Sequence, residues 1–265
     1  MALTPVFNPD TGASGGPSPA TPPAAADGAP KLVINTNFQA SPTVDMSSVG
    51  TFTVDGVAWT TTAAVATTCE ADSTGLVVST DDATSTSVVC QIPDVAQGDF
   101  IGVAVVFSGI TAQAANSSNF HIKLCSAAGT TTAAYDMLVT VHRVSSSSYR
   151  LRNGYRNSGN SSNVMAYVGD NPYASSLPSG FTLALWGSGY SWQTRCSSGT
   201  SMPDFRATTA TNNAGGSLRT RGSGQLLSDS DPPKTDYLKI VFNSNGGAMA
   251  GKITAVRVWV GARVV

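Results

Sequence analysis

Short apolar segments that alternate with polar residues recur from Lys31 to Val260, each closed off by a turn signal. This pattern constrains the fold more than any other feature of the chain. Alternation at every second residue is the period of a strand with one buried face. KLVINTNF opens the series at Lys31. Thr51–Trp59 reads as strand, hairpin point at Asp55-Gly56 and strand, and Leu76–Thr80 and Ser87–Ile92 read as a further pair joined through Asp81-Asp82-Ala83-Thr84. Phe100–Phe107 is almost continuously apolar, as expected of a strand covered on both faces. Asn119–Cys125 sets Phe120, Ile122 and Leu124 against His121 and Lys123, and Asp136–Arg143 sets Met137, Val139 and Val141 against Leu138, Thr140 and His142. Phe181–Trp186, Tyr237–Asn243 and Ile253–Val260 complete the strong strands, the last two joined through Asn245-Gly246-Gly247. Gly187–Ser230 is weakly patterned and reads as long loops with one or two short strands.

Composition supports the same reading. Glutamate occurs once, at Glu70, and Ser plus Thr make up about a quarter of the residues, far above ordinary usage. Helix formers are scarce, and no amphipathic helical period of useful length occurs. Ten to twelve strands at this spacing predict an all-β fold, a two-sheet β-sandwich of jelly-roll type forming one domain over residues 31–265. Alternation assigns Ile101, Val103, Val105, Phe107, Leu183, Leu185, Ile240, Phe242, Val256 and Val258 to its core, and Trp59, Trp186 and Trp259 read as core residues too.

Residues 1–30 are different. MALTPVFNPDTGASGGPSPATPPAAADGAP holds only Leu3, Val6 and Phe7 as larger apolar side chains after Met1. Such a segment cannot bury enough apolar surface to offset an ordering cost of about 1–2 kcal/mol per residue. It reads as an extended assembly arm that is ordered by what holds it. Leu3, Pro5, Val6 and Phe7 are expected to grip a neighbouring subunit or another protein, with folding back on its own domain as the alternative.

Several functions are disfavoured. No run of 18 apolar residues offers a membrane span, and the N-terminus has neither the basic nor the apolar region of a secretory signal. Formal net charge is −1 with 12% charged residues, too sparse and balanced for a nucleic-acid binder. Cys69, Cys90, Cys125 and Cys196 show no metal-ligand spacing and are expected as free thiols, although Cys69 and Cys90 bracket a pair of strands read as a hairpin. No catalytic group and no cofactor site is expected. His121 and His142 lie mid-strand among apolar neighbours, and Gly12-Ala13-Ser14-Gly15-Gly16 lacks the strand–turn–helix setting of a nucleophile elbow. Asp81, Asp82, Asp229 and Asp231 fall in turns, where local hydrogen bonding explains them. Asp229-Ser230-Asp231 lacks the further ligands of a calcium loop.

Two surface features remain. Arg150, Arg152 and Arg156, with Arg143 just before, flank Asn153-Gly154, the dipeptide a type I′ hairpin turn prefers. Such a basic ribbon could meet an acidic protein surface, an anionic glycan or nucleic acid, or simply guard an exposed edge. Tyr190 and Trp192, in a loop-like GSGYSWQ segment, could stack on sugar rings or pack at a strand end.

An uncharged Pro/Ala/Gly arm followed by a Ser/Thr-rich sandwich resembles the accessory virion proteins of tailed bacteriophages, namely capsid decoration (cement) proteins and tail adhesins. The closing YLKIVFNSNGGAMAGKITAVRVWV is similar to the last two strands of jelly-roll and lectin-like domains. The resemblance implies a non-enzymatic protein of the outer virion surface, a homotrimer or other symmetric oligomer, seated on a major capsid protein or another virion protein. The alternatives are a tail-fibre domain that binds host glycan through Tyr190 and Trp192, a jelly-roll coat protein, and a carbohydrate-binding module. The coat protein is disfavoured because residues 1–30 hold Asp10 and Asp27 but no basic side chain to neutralise a genome.

Overall fold

A computed structural model describes residues 30–63, 66–80, 85–96, 98–112, 118–125, 137–145, 148–155, 164–167, 179–188, 191–198, 217–219, 235–243 and 248–261. Of the expected arm, residues 1–30, all but Pro30 lies outside them. The described residues contain no helix and seventeen strands: β1 (Lys31–Thr36), β2 (Val44–Asp45), β3 (Gly50–Val54), β4 (Val57–Ala63), β5 (Ala66–Asp72), β6 (Gly75–Thr80), β7 (Ser85–Gln91), β8 (Phe100–Ala112), β9 (Ser118–Cys125), β10 (Met137–Ser145), β11 (Ser148–Tyr155), β12 (Val164–Tyr167), β13 (Phe181–Ser188), β14 (Ser191–Ser198), β15 (Ser217–Arg219), β16 (Tyr237–Asn243) and β17 (Met249–Gly261). They form two antiparallel sheets packed as a sandwich. The nine-stranded sheet runs β15-β14-β13-β8-β17-β6-β5-β2, with β1 also on β17, and the eight-stranded sheet runs β12-β11-β10-β9-β16-β7-β4-β3.

The residues assigned to the core by alternation are there. Ile101, Val103, Val105, Phe107, Leu183, Leu185, Ile240, Phe242, Val256 and Val258 are all buried in one cluster between the sheets. At its centre, Phe107 lies 5.0 Å from Phe181, 5.2 Å from Phe120 and 5.8 Å from Phe242 by ring centroids, distances at which tilted and edge-on aromatic pairs attract.

The Asp55-Gly56 hairpin forms as the sequence suggests, with φ of 51° and 75° at its two central residues, as a type I′ turn requires. Its aspartate then ties the two sheets together. The Thr36 hydroxyl and the Asn37 N–H both donate to Asp55 Oδ2 at 2.8 Å, while Arg257 donates to the Thr36 carbonyl and to Asn37 Oδ1, also at 2.8 Å. A strand corner of one sheet is thereby clamped to a hairpin of the other by charge-assisted bonds.

Four expectations are corrected. Asn153-Gly154 is not a turn: β11 continues through it, with Gly154 opposite Leu138 on one side and Met165 on the other. The chain reverses instead between Ser145 and Ser148, which sets Leu151 opposite Val141 and keeps the apolar positions of β10 and β11 on one face. Cys69 and Cys90 do not face each other across a hairpin. β6 pairs with β5, so the connection to β7 crosses between the sheets, and all four cysteines are free and buried. Burial pushes the thiols of Cys69 and Cys196 up to about 12, which leaves them inert as nucleophiles. Trp192 stands on β14 rather than in a loop, opposite Gly187 and Leu218. Finally, Trp186 and Trp259 are buried outside the main core, in a small cluster with Ala104 and Ala184. β5, β12 and the eight-residue β14 escaped the sequence reading because small and polar residues dilute their alternation.

Two substitutions test this packing. Phe242→Ala should cost roughly 3–5 kcal/mol in denaturant unfolding. Gly75 has φ +130°, and a Cβ there would sit 2.5 Å from the Ile253 carbonyl oxygen. Gly75→Ala should therefore cost more than about 2 kcal/mol, and a loss below about 0.5 kcal/mol would mean that β6 does not run this close to β17.

Candidate functional site

The outer face of the eight-stranded sheet, turned away from the core, holds the chemistry that the sequence reading did not anticipate. In β9 and β16 the core face takes Phe120, Ile122, Leu124, Leu238, Ile240 and Phe242. Strict alternation sends His121, Lys123, Lys239 and Val241 to the other side. The sequence sets His121 and Lys123 on this side without showing whether it is wet. It is buried: Lys239 is 0% exposed, Lys123 6%, His121 9% and Thr140 0%.

Register brings these groups together. Lys123 and Lys239 are direct cross-strand partners, and His121 lies opposite Thr140 and Val241. One row across the sheet thus reads Arg152, Thr140, His121, Val241, Ser87, and the next reads Leu138, Lys123, Lys239, Val89. Side chains directly opposite have Cβ atoms about 4.5–5.5 Å apart, so two lysines stand side by side on a buried face. Burial, and then the neighbouring Lys239 charge, pull Lys123 down from 10.5 to about 8. Burial also lowers Lys239, with Cys125 acting in the opposite direction. Both causes disfavour the charged form.

Of the basic residues singled out in the sequence, Arg150 and Arg152 stand on β11 of this sheet. Arg150 lies opposite His142 and Arg152 opposite Thr140, on the positions of β11 that alternate with Leu151. Arg156, Tyr190, and the arm residues Leu3, Pro5, Val6 and Phe7 lie outside the described residues, as do Asp81, Asp82, Asp229 and Asp231. Trp192 occupies a row with Gly187, Ile101 and Val260 in the other sheet, remote in register from the lysines. Sequence reasoning passed over Lys123 and Lys239 because a lysine in an alternating strand reads as its wet side. The available signal was their setting, FHIKLC and YLKIVF, where large apolar residues flank the lysine on both sides.

Among the described residues no group of three potential metal ligands occurs. A recess of about 260 Å³ lined by Val33, Ile34, Gly56, Val57, Ala58, Gln91 and Pro93 lies near the Asp55-Gly56 hairpin. It holds no ionisable side chain and is smaller than most ligand pockets.

No protein-family model matches the chain, and no curated protein matches its sequence. Among solved structures it is similar to the exoplasmic/lumenal domain of VIP36 in a Ca2+/Man3GlcNAc-bound form, with a TM-score of 0.50 and 8% identity over 89% of this chain and 91% of that one. The carbohydrate recognition domain of Emp47p has a TM-score of 0.48 and 12% identity over 90% and 100% of the two chains. The CBM2 module of the evolved Dit of Lactobacillus casei BL23 phage J-1 has a TM-score of 0.45 and 12% identity over 90% and 98%. The VIP36 domain establishes a likeness of fold, a two-sheet β-sandwich.

The buried lysines make stability depend on pH. Below about pH 8 both the native and the unfolded chain hold the Lys123 proton, and burial makes that proton less favourable in the native state. Between about 8 and 10.5 the unfolded chain binds a proton that the native chain has released, so stability rises with pH by on the order of 3 kcal/mol. Lys123→Met should therefore be more stable than the parent at pH 7 by about 1–3 kcal/mol, and should lose that advantage by pH 10.5. An advantage that stays constant across this range would remove the charge as its cause.

Proposed function

We propose that this chain is a non-enzymatic glycan-binding β-sandwich of a virion surface, and that it binds an acidic saccharide on the outer face of its eight-stranded sheet. The observation that supports this reading is the line of Lys123, Lys239, His121 and Thr140 on the central strands of that face. A layer that needed only covering would be cheaper to build from apolar side chains, since two buried like charges cost more than the methylenes they replace. Charged groups held off their ordinary pKa in a recess gather at functional sites. Lysine and histidine donors match the acceptors of a saccharide, and the positive charge selects a carboxylate or sulfate on it. Lys123 and His121 keep the little exposure this face has, so they make the contact while Lys239, the cross-strand neighbour of Lys123, adds to the field.

On this reading the sugar contact lies away from Trp192, which stands on β14 of the other sheet. Capsid decoration, with residues Leu3, Pro5, Val6 and Phe7 gripping a protein lattice, rests on the composition of a segment outside the described residues and is the rival outcome of the test. A glycan array probed at pH 7 should show binding to uronate- or sulfate-bearing glycans that weakens at least about tenfold in Lys123→Met, with the circular dichroism spectrum unchanged. Binding to neutral glycans alone would move the site away from the lysines. No binding to any glycan, together with normal adsorption of particles that lack the protein, would overturn the reading in favour of decoration.

A further inference from the structure

β3, with the sequence GTFTV, ends the eight-stranded sheet: β4 lies on one side of it and no described strand on the other. The hairpin fixes which of its main-chain groups are used. Val54 and Val57 close the two-residue Asp55-Gly56 turn, and residues that close such a turn exchange both of their bonds. Bonded and unbonded pairs then alternate along the ladder. Gly50, Phe52 and Val54 therefore point their N–H and C=O groups at β4, while Thr51 and Thr53 point theirs away from the sheet. Thr51 and Thr53 are exposed and Phe52 is half-buried. Val49, just before the strand, is 67% exposed.

An open edge of this kind is ordinarily guarded by charge, proline or a bulge. This one has none of the three. Residues 46–54 hold neither a charged side chain nor a proline, and β3 keeps an unbroken register with β4 from Gly50 to Val54. Its centre also reads the same from either end: threonine, phenylalanine, threonine. We propose that β3 pairs antiparallel with β3 of a second copy about a twofold axis at Phe52, which joins two eight-stranded sheets edge to edge. In that register Thr51 stands opposite Thr53 of the partner subunit, and the two exchange their outward N–H and C=O groups. Phe52 stands opposite Phe52 of the partner subunit in a pair without main-chain bonds, with Cβ atoms about 4.5–5.5 Å apart. Aromatic side chains so placed attract, and the half-exposed flank of each is covered. Asp55 falls opposite Val49 of the partner subunit, so no like charges meet. The contact is isologous and closes at two copies. A strand of five residues buries less than a standard interface, so the dimer exchanges at about micromolar concentration.

Opposed charges test the contact and its register together. Thr51 and Thr53 face solvent, and the 3.0 Å hydroxyl contact of Thr51 with Thr60 is exposed, so both positions accept charged residues with the hairpin intact, as an unchanged circular dichroism spectrum should confirm. Sedimentation velocity of the full chain, from about 1 to 100 μM, should show the parent passing from monomer to dimer. Thr51→Lys with Thr53→Lys sets lysine against lysine on both sides of the axis and should weaken association at least about tenfold. Thr51→Lys with Thr53→Glu sets lysine against glutamate in the same register and should restore it. A parent that stays monomeric throughout would overturn the proposal and leave the edge to a strand of a different protein. A doubly lysine variant that associates as the parent does would overturn it too. So would a lysine–glutamate variant that stays as weak as the doubly lysine one, since Thr51 would then not face Thr53 of the partner subunit.

Discussion

The pairing of β8 with β17 is the constraint on which the rest of the sandwich depends. Both strands run for thirteen residues, and they stay antiparallel neighbours from Ala250 opposite Ala112 to Gly261 opposite Phe100. The other edge of β17 is shared in sequence by β6 and then β1. The last strand of the chain therefore closes a sheet whose other members were made long before it, and much of the nine-stranded sheet hangs on one non-local register. A shift of one residue there would send Val256 and Val258 to the outside and Arg257 into the core. Arg257 also secures the register from outside: its guanidinium holds the Thr36 carbonyl and Asn37, and through them the Asp55 hairpin of the other sheet.

The parts of this architecture that were legible in the sequence share one property. In Phe100–Phe107, Phe181–Trp186, Tyr237–Asn243 and Ile253–Val260 the buried face is made of large apolar residues, so the period shows through. The Asp55-Gly56 turn was legible because its positive φ values demand particular residues. Asn153-Gly154 carried the same signature and misled, because Gly154 also fits inside a strand when its neighbours Leu138 and Met165 demand pairing on both sides. Tertiary context outweighed a local preference worth a fraction of the energy. Strands such as Ala66–Asp72 and Ser191–Ser198 were hidden for the opposite reason: serine, threonine and alanine serve either face.

The candidate site was less legible than the fold, and the cause is physical. Alternation says which side of a strand a residue faces, but not whether that side is wet. His121 and Lys123 were assigned correctly to the face opposite Phe120 and Ile122, but the FHIKLC setting within β9 only hints at their burial and does not fix it. Burial of an outer face is a property of what lies across several strands. Cross-strand partnership is equally invisible locally: Lys123 and Lys239 are 116 positions apart (239 − 123) and meet only once β9 and β16 are in register.

The two outer faces differ in a way that bears on how one sandwich can serve two ends. One sheet sets small residues between two indoles, and such a surface gains by excluding water and imposes little direction on what it meets. The other sets ammonium, imidazole and hydroxyl groups at fixed spacing. Such a face costs stability, and it returns that cost only to a ligand whose charges and acceptors match its positions. A polar row suits a ligand that must be chosen among many chemically similar ones. The antiparallel core between them lets each face be tailored alone, because a substitution at an even position of β8 or an odd position of β9 leaves the phenylalanine cluster on the inner side untouched.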